Sequence, residues 1–272
     1  MTFERQAYEL PEIWQDTWFA TDDQTRCDAV AALIPAGVQT LLDVGCGNGM
    51  FVNRLARSDR RGFTRLAAVD RSAAALAHVR VARCRATIDA LPFNDGSFDA
   101  TTSMEVLEHL PVAVFPRALS ELARVARRYV LVSVPYKQDL AATMHSCPSC
   151  QTRFNADYHM RSFDESLIGG LLDGVGYRLV TSRLIGPRTR YLDRLLRERF
   201  RAWRRPENGL PAYAICPMCG WHDADALRRE SASRQAAHAV GGLDEAAARP
   251  WMARWRPSVT TFQWIGAVYE RR

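Results

Sequence analysis

The chain has 272 residues, 47% of them apolar and 24% charged, with a net charge of +6. These are ordinary globular values, and the length suffices for one large core or for a domain with a substantial insertion. No apolar run approaches a membrane span, and the opening MTFERQAYEL lacks the basic-then-apolar order of an export signal, so the expectation is a soluble, cytoplasmic protein with no membrane partner. The positive charge permits a nucleic-acid partner without favouring one. Seven cysteines, an odd number, argue against a disulfide framework. Four fall in two close pairs, while Cys27, Cys46 and Cys84 stand alone and read as small buried hydrophobes.

Residues 1–37 read as a helical preface, YELPEIWQDTWFA followed by DDQTRCDAVAALIPAG. Tyr8, Trp14, Trp18 and Phe19 make it more aromatic than a solvated helix needs; they either pack on the main domain or form part of a substrate lid. Gly37, shortly after Pro35, closes the second helix. Residues 40–44 (TLLDV) are a buried strand, followed by glycines at alternate positions, Gly45, Gly47 and Gly49. Such glycines allow positive φ and close ligand approach, and the free N–H groups of the next helix, from Met50 to about Arg57, face a polar or anionic ligand. Residues 65–70 (RLAAVD) form a second strand. Its Asp70 falls roughly 20 residues beyond the loop, where a dinucleotide-type fold places the carboxylate that bonds ribose hydroxyls. An acid there is also a common helix cap, but Ser72 is placed to cap the next helix, and ribose binding is the favoured reading.

A helix over 72–82 and a short strand near 85–87 come next, then a turn at Asn94-Asp95-Gly96 and a strand over 98–103. A helix between 112 and 127 has Pro116 near its start, and a strand over 129–134 is stopped by Pro135. A helix at 162–176, a strand at 177–185 and a last strand near 260–270 complete the pattern. Strands alternating with helices at this spacing give a parallel sheet covered on both faces.

In that order, LLDVGCGNG (41–49), AAVDRS (67–72), DALPF (89–93), SFDATTSMEVLEHL (97–110) and YVLVSVPY (129–136) resemble the class I S-adenosylmethionine-dependent methyltransferases, in the broad small-molecule and quinone branch. The resemblance covers about residues 38–185 plus the last strand. It implies an α/β fold: a Rossmann-like, seven-stranded doubly wound sheet whose last strand is antiparallel. It also implies a set of cofactor residues. The backbone around Gly45, Cys46, Gly47 and Gly49 would pass the methionine part, with Asp43 holding its ammonium group. Asp70, with Arg71 beside it, would take the ribose. Asp89 would accept from the adenine amine, Ala90 N–H would point at the ring, and Leu91 would supply apolar contact. Met104 and Glu105 would lie beside the sulfonium and the methionine tail. A dinucleotide oxidoreductase shares the strand-loop-acid pattern, but its fingerprint asks for a further glycine two places later, at Phe51.

Methyl transfer from a sulfonium is an in-line displacement already activated by its leaving group, so a base is needed only if the acceptor is protonated. Candidates are His109, Tyr136, His145 and His159, with His109 read as structural. Glu105, Glu108 and His109 also spell E-x-x-E-H, which in some relatives helps bind Mg²⁺ or Zn²⁺ near the acceptor. The favoured reading has no metal there and Glu108 facing solvent.

HSCPSCQTRF (145–154) and AICPMCGWHD (214–223) are both C-P-x-C turns, and two such half-sites complete a tetrahedral zinc centre. The gap between them exceeds that of a compact ribbon, but the strand-five exit and the connection between strands six and seven share one rim of the sheet. The expectation is one structural Zn²⁺ on Cys147, Cys150, Cys216 and Cys219, with His145, His159 and His222 as possible substitute ligands; redox pairs or four ordinary cysteines are the alternatives. The domain reading is an N-terminal helical extension over 1–37 and a methyltransferase domain over 38–272, with zinc-binding or cap segments at 140–160 and 186–259. A basic amphipathic helix at 190–206 and a Trp/Arg cluster at 243–257 would cap the acceptor pocket and attract an anionic acceptor. The expected activity is methyl transfer to a small-molecule or glycan-type metabolite. The alternative is an RNA- or protein-modifying enzyme that docks through the zinc module and basic helix. A non-catalytic binding module is disfavoured by the intact set of Asp43, Asp70 and Asp89. No N-P-P-Y-type motif follows strand four, which favours O-, C- or amine acceptors.

Overall fold

The computed structural model describes residues 7–15, 21–58, 62–191, 210–239 and 258–272. Trp18, Phe19, residues 192–206 of the basic segment and the Trp/Arg cluster at 243–257 lie outside them. A seven-stranded sheet has β1 (Thr40–Val44), β2 (Arg65–Asp70), β3 (Ala82–Arg85), β4 (Phe98–Met104), β5 (Ala126–Pro135), β8 (Tyr177–Tyr191) and β9 (Ser258–Arg271). Their order is β3-β2-β1-β4-β5-β9-β8. The first five pair in parallel; β9 runs antiparallel between β5 and β8. This is the expected Rossmann-like doubly wound sheet with its last strand reversed.

Alternation along the central strands explains why both faces are covered, since successive side chains point to opposite sides of a sheet. Leu42, Val44, Val130, Val132 and Val134 enter one core with Leu119 and Leu122 of α4 (Phe115–Val125) and Ile168 of α5 (Glu165–Gly170). Leu41 and Leu131 enter the other, against Phe51 and Leu55 of α2 (Met50–Ser58) and Cys27, Val30 and Ile34 of α1 (Thr21–Leu33). The N-terminal helix α1 thus covers a face of the sheet.

Several elements differ from expectation. The helix over 72–82 shrinks to α3 (Ala73–Leu76), capped by the Ser72 hydroxyl, which accepts from Ala75 N–H at 3.0 Å. Asn53 of α2 ends it: its amide donates to the His78 carbonyl and accepts from Arg80 N–H, removing both groups from a helical ladder. The chain then pairs earlier, so β3 runs over Ala82–Arg85 and not over 85–87. Similarly, the helix at 162–176 is α5 followed by a separate 3-10 turn at Asp173–Val175. A two-stranded hairpin, β6 (Met144–Ser146) with β7 (Arg153–Asn155), and α6 (Ala224–Ala239) lie outside the sheet. No helix among the described residues is long and apolar enough to cross a membrane.

Tyr177, fully buried at the start of β8, donates from its hydroxyl toward the carbonyls of Ala123 and Ala126, where α4 gives way to β5. Arg271 donates to the same two carbonyls. Tyr177→Phe therefore leaves neither carbonyl orphaned and should cost only about 1 kcal/mol in urea unfolding, the net worth of one hydrogen bond. A loss several times larger would mean that the hydroxyl alone holds this joint.

Candidate active site

The strand order reverses between β1 and β4, and an open α/β sheet binds ligands in the crevice at such a point. A cavity of about 780 Å³ lies there. The loop after β1 is folded over the end of β2: Gly45 and Cys46 N–H both donate to the Val69 carbonyl, at 2.8 and 3.0 Å. Gly45 has φ +73°, and a Cβ on it would meet the Val106 side chain at 2.3 Å, so glycine is required. Asp70 locks this fold. One carboxylate oxygen accepts from Gly47 N–H and the other from Ser72 N–H, each at 2.8 Å. Burial raises its pKa, and the two N–H groups oppose that rise.

Asp43, at the penultimate position of β1, is buried with one oxygen accepting from the Thr102 hydroxyl at 2.7 Å and the other without a hydrogen-bond partner among the described residues. Burial pushes its pKa up to about 7, against the Thr102 hydrogen bond. Asp43, Gly45, Cys46, Gly47, Asp70, Arg71, Asp89, Met104 and Glu105 all line the cavity. Three of the residues expected with them do not. Gly49 turns the chain into α2 facing Asn53 and Val79. Ala90 N–H, expected to face an adenine ring, donates to the Thr87 carbonyl at 3.1 Å. Leu91 is buried in the core, its N–H given to Glu121 at 2.7 Å. Thr87 and Ile88 occupy that wall, and Asp89 pairs with Arg117 at 3.0 Å.

The N-terminal segment crosses the cavity. The Trp14 ring lies over Gly47, where a Cβ would stand 2.8 Å from it. Tyr8 and Trp14 line the cavity, and Glu9 accepts from the first N–H groups of α3. Arg26, from α1, pairs with Glu105 at 3.3 Å and lies over the Trp264 ring. Neither Arg26 nor Val106 carried a sequence signal, because a lone arginine in a helix and an apolar residue after a strand are unremarkable until the fold turns them inward. Among the base candidates only His109 reaches the cavity. Its pKa is held well below the ordinary range, by burial first and by His159 next. Tyr136 donates to Glu165, and His145 pairs across the β6–β7 hairpin with Phe154. Glu108, expected to face solvent, is fully buried, and its pKa is raised well above the ordinary range by burial and by the nearby Glu105 charge.

Residues 42–132 match a family model described as a methyltransferase domain. Over that stretch the chain is similar to this methyltransferase domain, and its strands take the order described above. Similar solved structures share the fold at low identity. One is a chain from the complex between the Trm112 methyltransferase activator and a methyltransferase of Haloferax volcanii, 17% identical, covering 99% of this chain and 96% of that one with a TM-score of 0.54. Another is an S-adenosylmethionine-dependent methyltransferase of Thermotoga maritima, 13% identical, covering 99% and 95% with a TM-score of 0.50.

The two cysteine turns meet as well. Cys147 and Cys219 sulfurs are 3.7 Å apart, Cys150 and Cys216 sulfurs 3.6 Å, and all four lie within 4.8 Å of one another. The turns share one backbone pattern. Gln151 N–H donates to the Cys147 carbonyl and Gly220 N–H to that of Cys216, at 2.9 and 3.0 Å. Gln151 and Gly220, each just after the second cysteine, have φ of 62° and 74°. Cys147 and Cys216 are buried with Phe154, Ala156 and Ala214 in a small core, and Cys150 and Cys219 are exposed.

Because the Asp43 carboxyl is harder to ionise folded than unfolded, its contribution to stability is present below the ordinary carboxylate range and is lost as pH rises toward about 7. Asp43→Asn should therefore flatten the stability profile of the ligand-free protein between roughly pH 4 and 7. An unchanged slope in urea melts across that range would show that Asp43 ionises normally.

Proposed function

We propose that this methyltransferase domain passes a methyl group from S-adenosylmethionine to a small-molecule or glycan-type acceptor, and that Cys147, Cys150, Cys216 and Cys219 hold a structural zinc ion. The observation that carries the first part is the gathering of Asp43, Asp70, Asp89 and the Gly45–Gly47 backbone on the wall of one cavity. The buried oxygen of Asp43 that has no partner among the described residues suits the ammonium group of the methionine part. Asp70 has spent one acceptor site per oxygen on backbone N–H groups, and a carboxylate has about four, so both oxygens retain capacity for ribose hydroxyls. Asp89 would accept from the adenine amine, with Ile88 in place of Leu91 as apolar contact. Met104 and Glu105 would flank the sulfonium and methionine tail.

When bound, S-adenosylmethionine supplies a sulfonium methyl group already activated by its leaving group. The chain's own contribution is alignment and exclusion of water. Tyr8 and Trp14 lie over the cavity, and His109, Leu110, Pro111 and Val114 line it, a wall that suits a compact acceptor. For the zinc, a tetrahedron with metal–sulfur bonds of about 2.3 Å has sulfurs roughly 3.8 Å apart, which the observed 3.6 and 3.7 Å approach closely. Such an ion would act as a cross-link between the two turns, with no part in bond making.

Calorimetry with S-adenosylhomocysteine should show one site per chain, weakened by about ten-fold or more in Asp43→Ala, the scale of a charged hydrogen bond. Failure of the wild-type chain to bind it would end the methyl-transfer reading. Zinc is expected at one per chain, falling to near zero in a Cys150→Ser/Cys219→Ser double variant with a lower melting temperature. Zinc-free wild-type protein that melts unchanged would overturn the structural metal without touching the cofactor site.

A further inference from the structure

We propose that the cysteine module controls cofactor affinity: its metal sets two grips, Tyr158 and the Ser231/Gln235 pair, that hold residues 7–15 as a strap over the cavity. The proposal rests on the cofactor and zinc readings above. Tyr8 and Trp14 of this strap line the cavity, and the Trp14 ring covers Gly47. The turn that carries Trp14 does little to fix itself. It is a 3-10 turn of four residues, Pro11–Trp14, with no side-chain cap and no buried residue. Its place over the cavity is therefore decided by what grips it from outside.

Two of those grips belong to the cysteine module. The Tyr158 hydroxyl donates to the Ile215 carbonyl at 3.0 Å and accepts from Ile215 N–H at 2.6 Å, and Ile215 immediately precedes Cys216. The Tyr158 ring stacks on Phe154, just past the turn of Cys147 and Cys150, with centroids 6.2 Å apart. Tyr158 thus bridges the two cysteine turns, and its ring lies 6.4 Å from that of Tyr8. The second grip comes from α6. Cys216 N–H donates to the Trp221 carbonyl at 2.8 Å, and Asp223, shortly beyond, accepts from Ala226 N–H at 2.7 Å, so the second cysteine turn runs straight into this helix. On α6, the buried Ser231 and Gln235 both donate to Gln15 Oε1, at 3.1 and 2.6 Å. The strap is held at Tyr8 by the residue that joins the turns, and at Gln15 by the helix that one of them begins.

Other grips lie on the cofactor side. Glu9 accepts from Ala73 and Ala74 N–H and pairs with Arg85, and the Ser72 hydroxyl donates to the Tyr8 carbonyl at 2.6 Å. These do not depend on the cysteines, so loss of the metal loosens the strap without releasing it. A roof already held in place loses less conformational freedom when the ligand binds, and the ligand binds more tightly for it. Linkage makes the coupling reciprocal: the factor that the metal adds to cofactor affinity, the cofactor adds to metal affinity. Tyr158 and Gln15 are positioning residues. Neither lines the cavity or supplies a sulfur, and both act through the strap.

The test measures S-adenosylhomocysteine binding by calorimetry on the full chain, zinc-loaded and zinc-stripped, and on a zinc-loaded Gln15→Ala/Tyr158→Phe double variant. The variant keeps all four cysteines and the ring at position 158, so it should retain one zinc per chain. Stripping the wild type should weaken binding by about ten-fold, and the zinc-loaded variant should be weakened by a similar factor. Saturating S-adenosylhomocysteine should tighten wild-type zinc binding by that same factor in competition with a chelator. Should the stripped wild type unfold, the double variant carries the test, because it compares two metal-bound chains. Should the double variant lose zinc, Gln15→Ala alone, which alters nothing in the cysteine core, decides by the same comparison. Equal affinity in the zinc-loaded wild type and variant, or in folded loaded and stripped wild type, overturns the coupling and leaves the cofactor reading standing. A wild-type chain that binds no S-adenosylhomocysteine at any zinc level removes the methyl-transfer reading and the coupling with it.

Discussion

The cleft depends on one carboxylate that accepts from two separate backbone N–H groups. Asp70 ends β2, and through Gly47 and Ser72 it ties the glycine loop on one side to the start of α3 on the other. Burial alone would favour its neutral form, and a neutral carboxyl offers less to two donors. The two N–H groups therefore favour its charge, and the charge in turn holds the loop. Val69 completes the lock by taking the N–H groups of Gly45 and Cys46. With the loop held over the strand ends, Asp43 lines the cavity with an oxygen that has no hydrogen-bond partner among the described residues.

The cover over this cleft is assembled from distant parts of the chain. Helix α1 packs on one face of the sheet and delivers Arg26 to Glu105, a residue at φ 55° whose N–H donates to the Ser133 carbonyl. The segment before α1 lays Tyr8 and Trp14 across the cavity and ends on α6, where Gln15 meets Ser231 and Gln235. The lid and packing readings of these N-terminal aromatics are thus compatible: Tyr8 and Trp14 line the cavity and pack on the domain at once.

The cysteine-bearing unit shows what a small core needs. Its buried set is five residues, Cys147, Phe154, Ala156, Ala214 and Cys216. So small an apolar cluster is a weak clamp for two turns that lie on either side of β8 in the sequence, and four converging sulfurs offer a staple where apolar burial falls short. The unit also reaches the cleft. Tyr158 donates its hydroxyl to the Ile215 carbonyl, and its ring lies 6.4 Å from that of Tyr8. Order in the cysteine turns and closure over the cavity are therefore joined through a few aromatic contacts.

The sequence by itself determined the sheet, the glycine loop and the acids at the strand ends, because each is set by local chemistry: apolar runs make buried strands, positive φ needs glycine, and an acid after a strand meets the loop beside it. The two C-P-x-C turns were legible for the same reason, each being a complete half-site within a few residues. Only the tertiary structure decided which N–H groups were already spent. Ala90 and Leu91 had the right letters, but their donors go to Thr87 and Glu121, and no local pattern records a hydrogen bond to a helix thirty residues away. The end of α3 was likewise invisible, since it is set by Asn53 on another helix. Burial of Glu108 and the approach of His159 to His109 also arise from long-range packing. Spacing along the chain reports what one segment can do; which side chains are desolvated, and beside what, is a property of elements that meet only after folding.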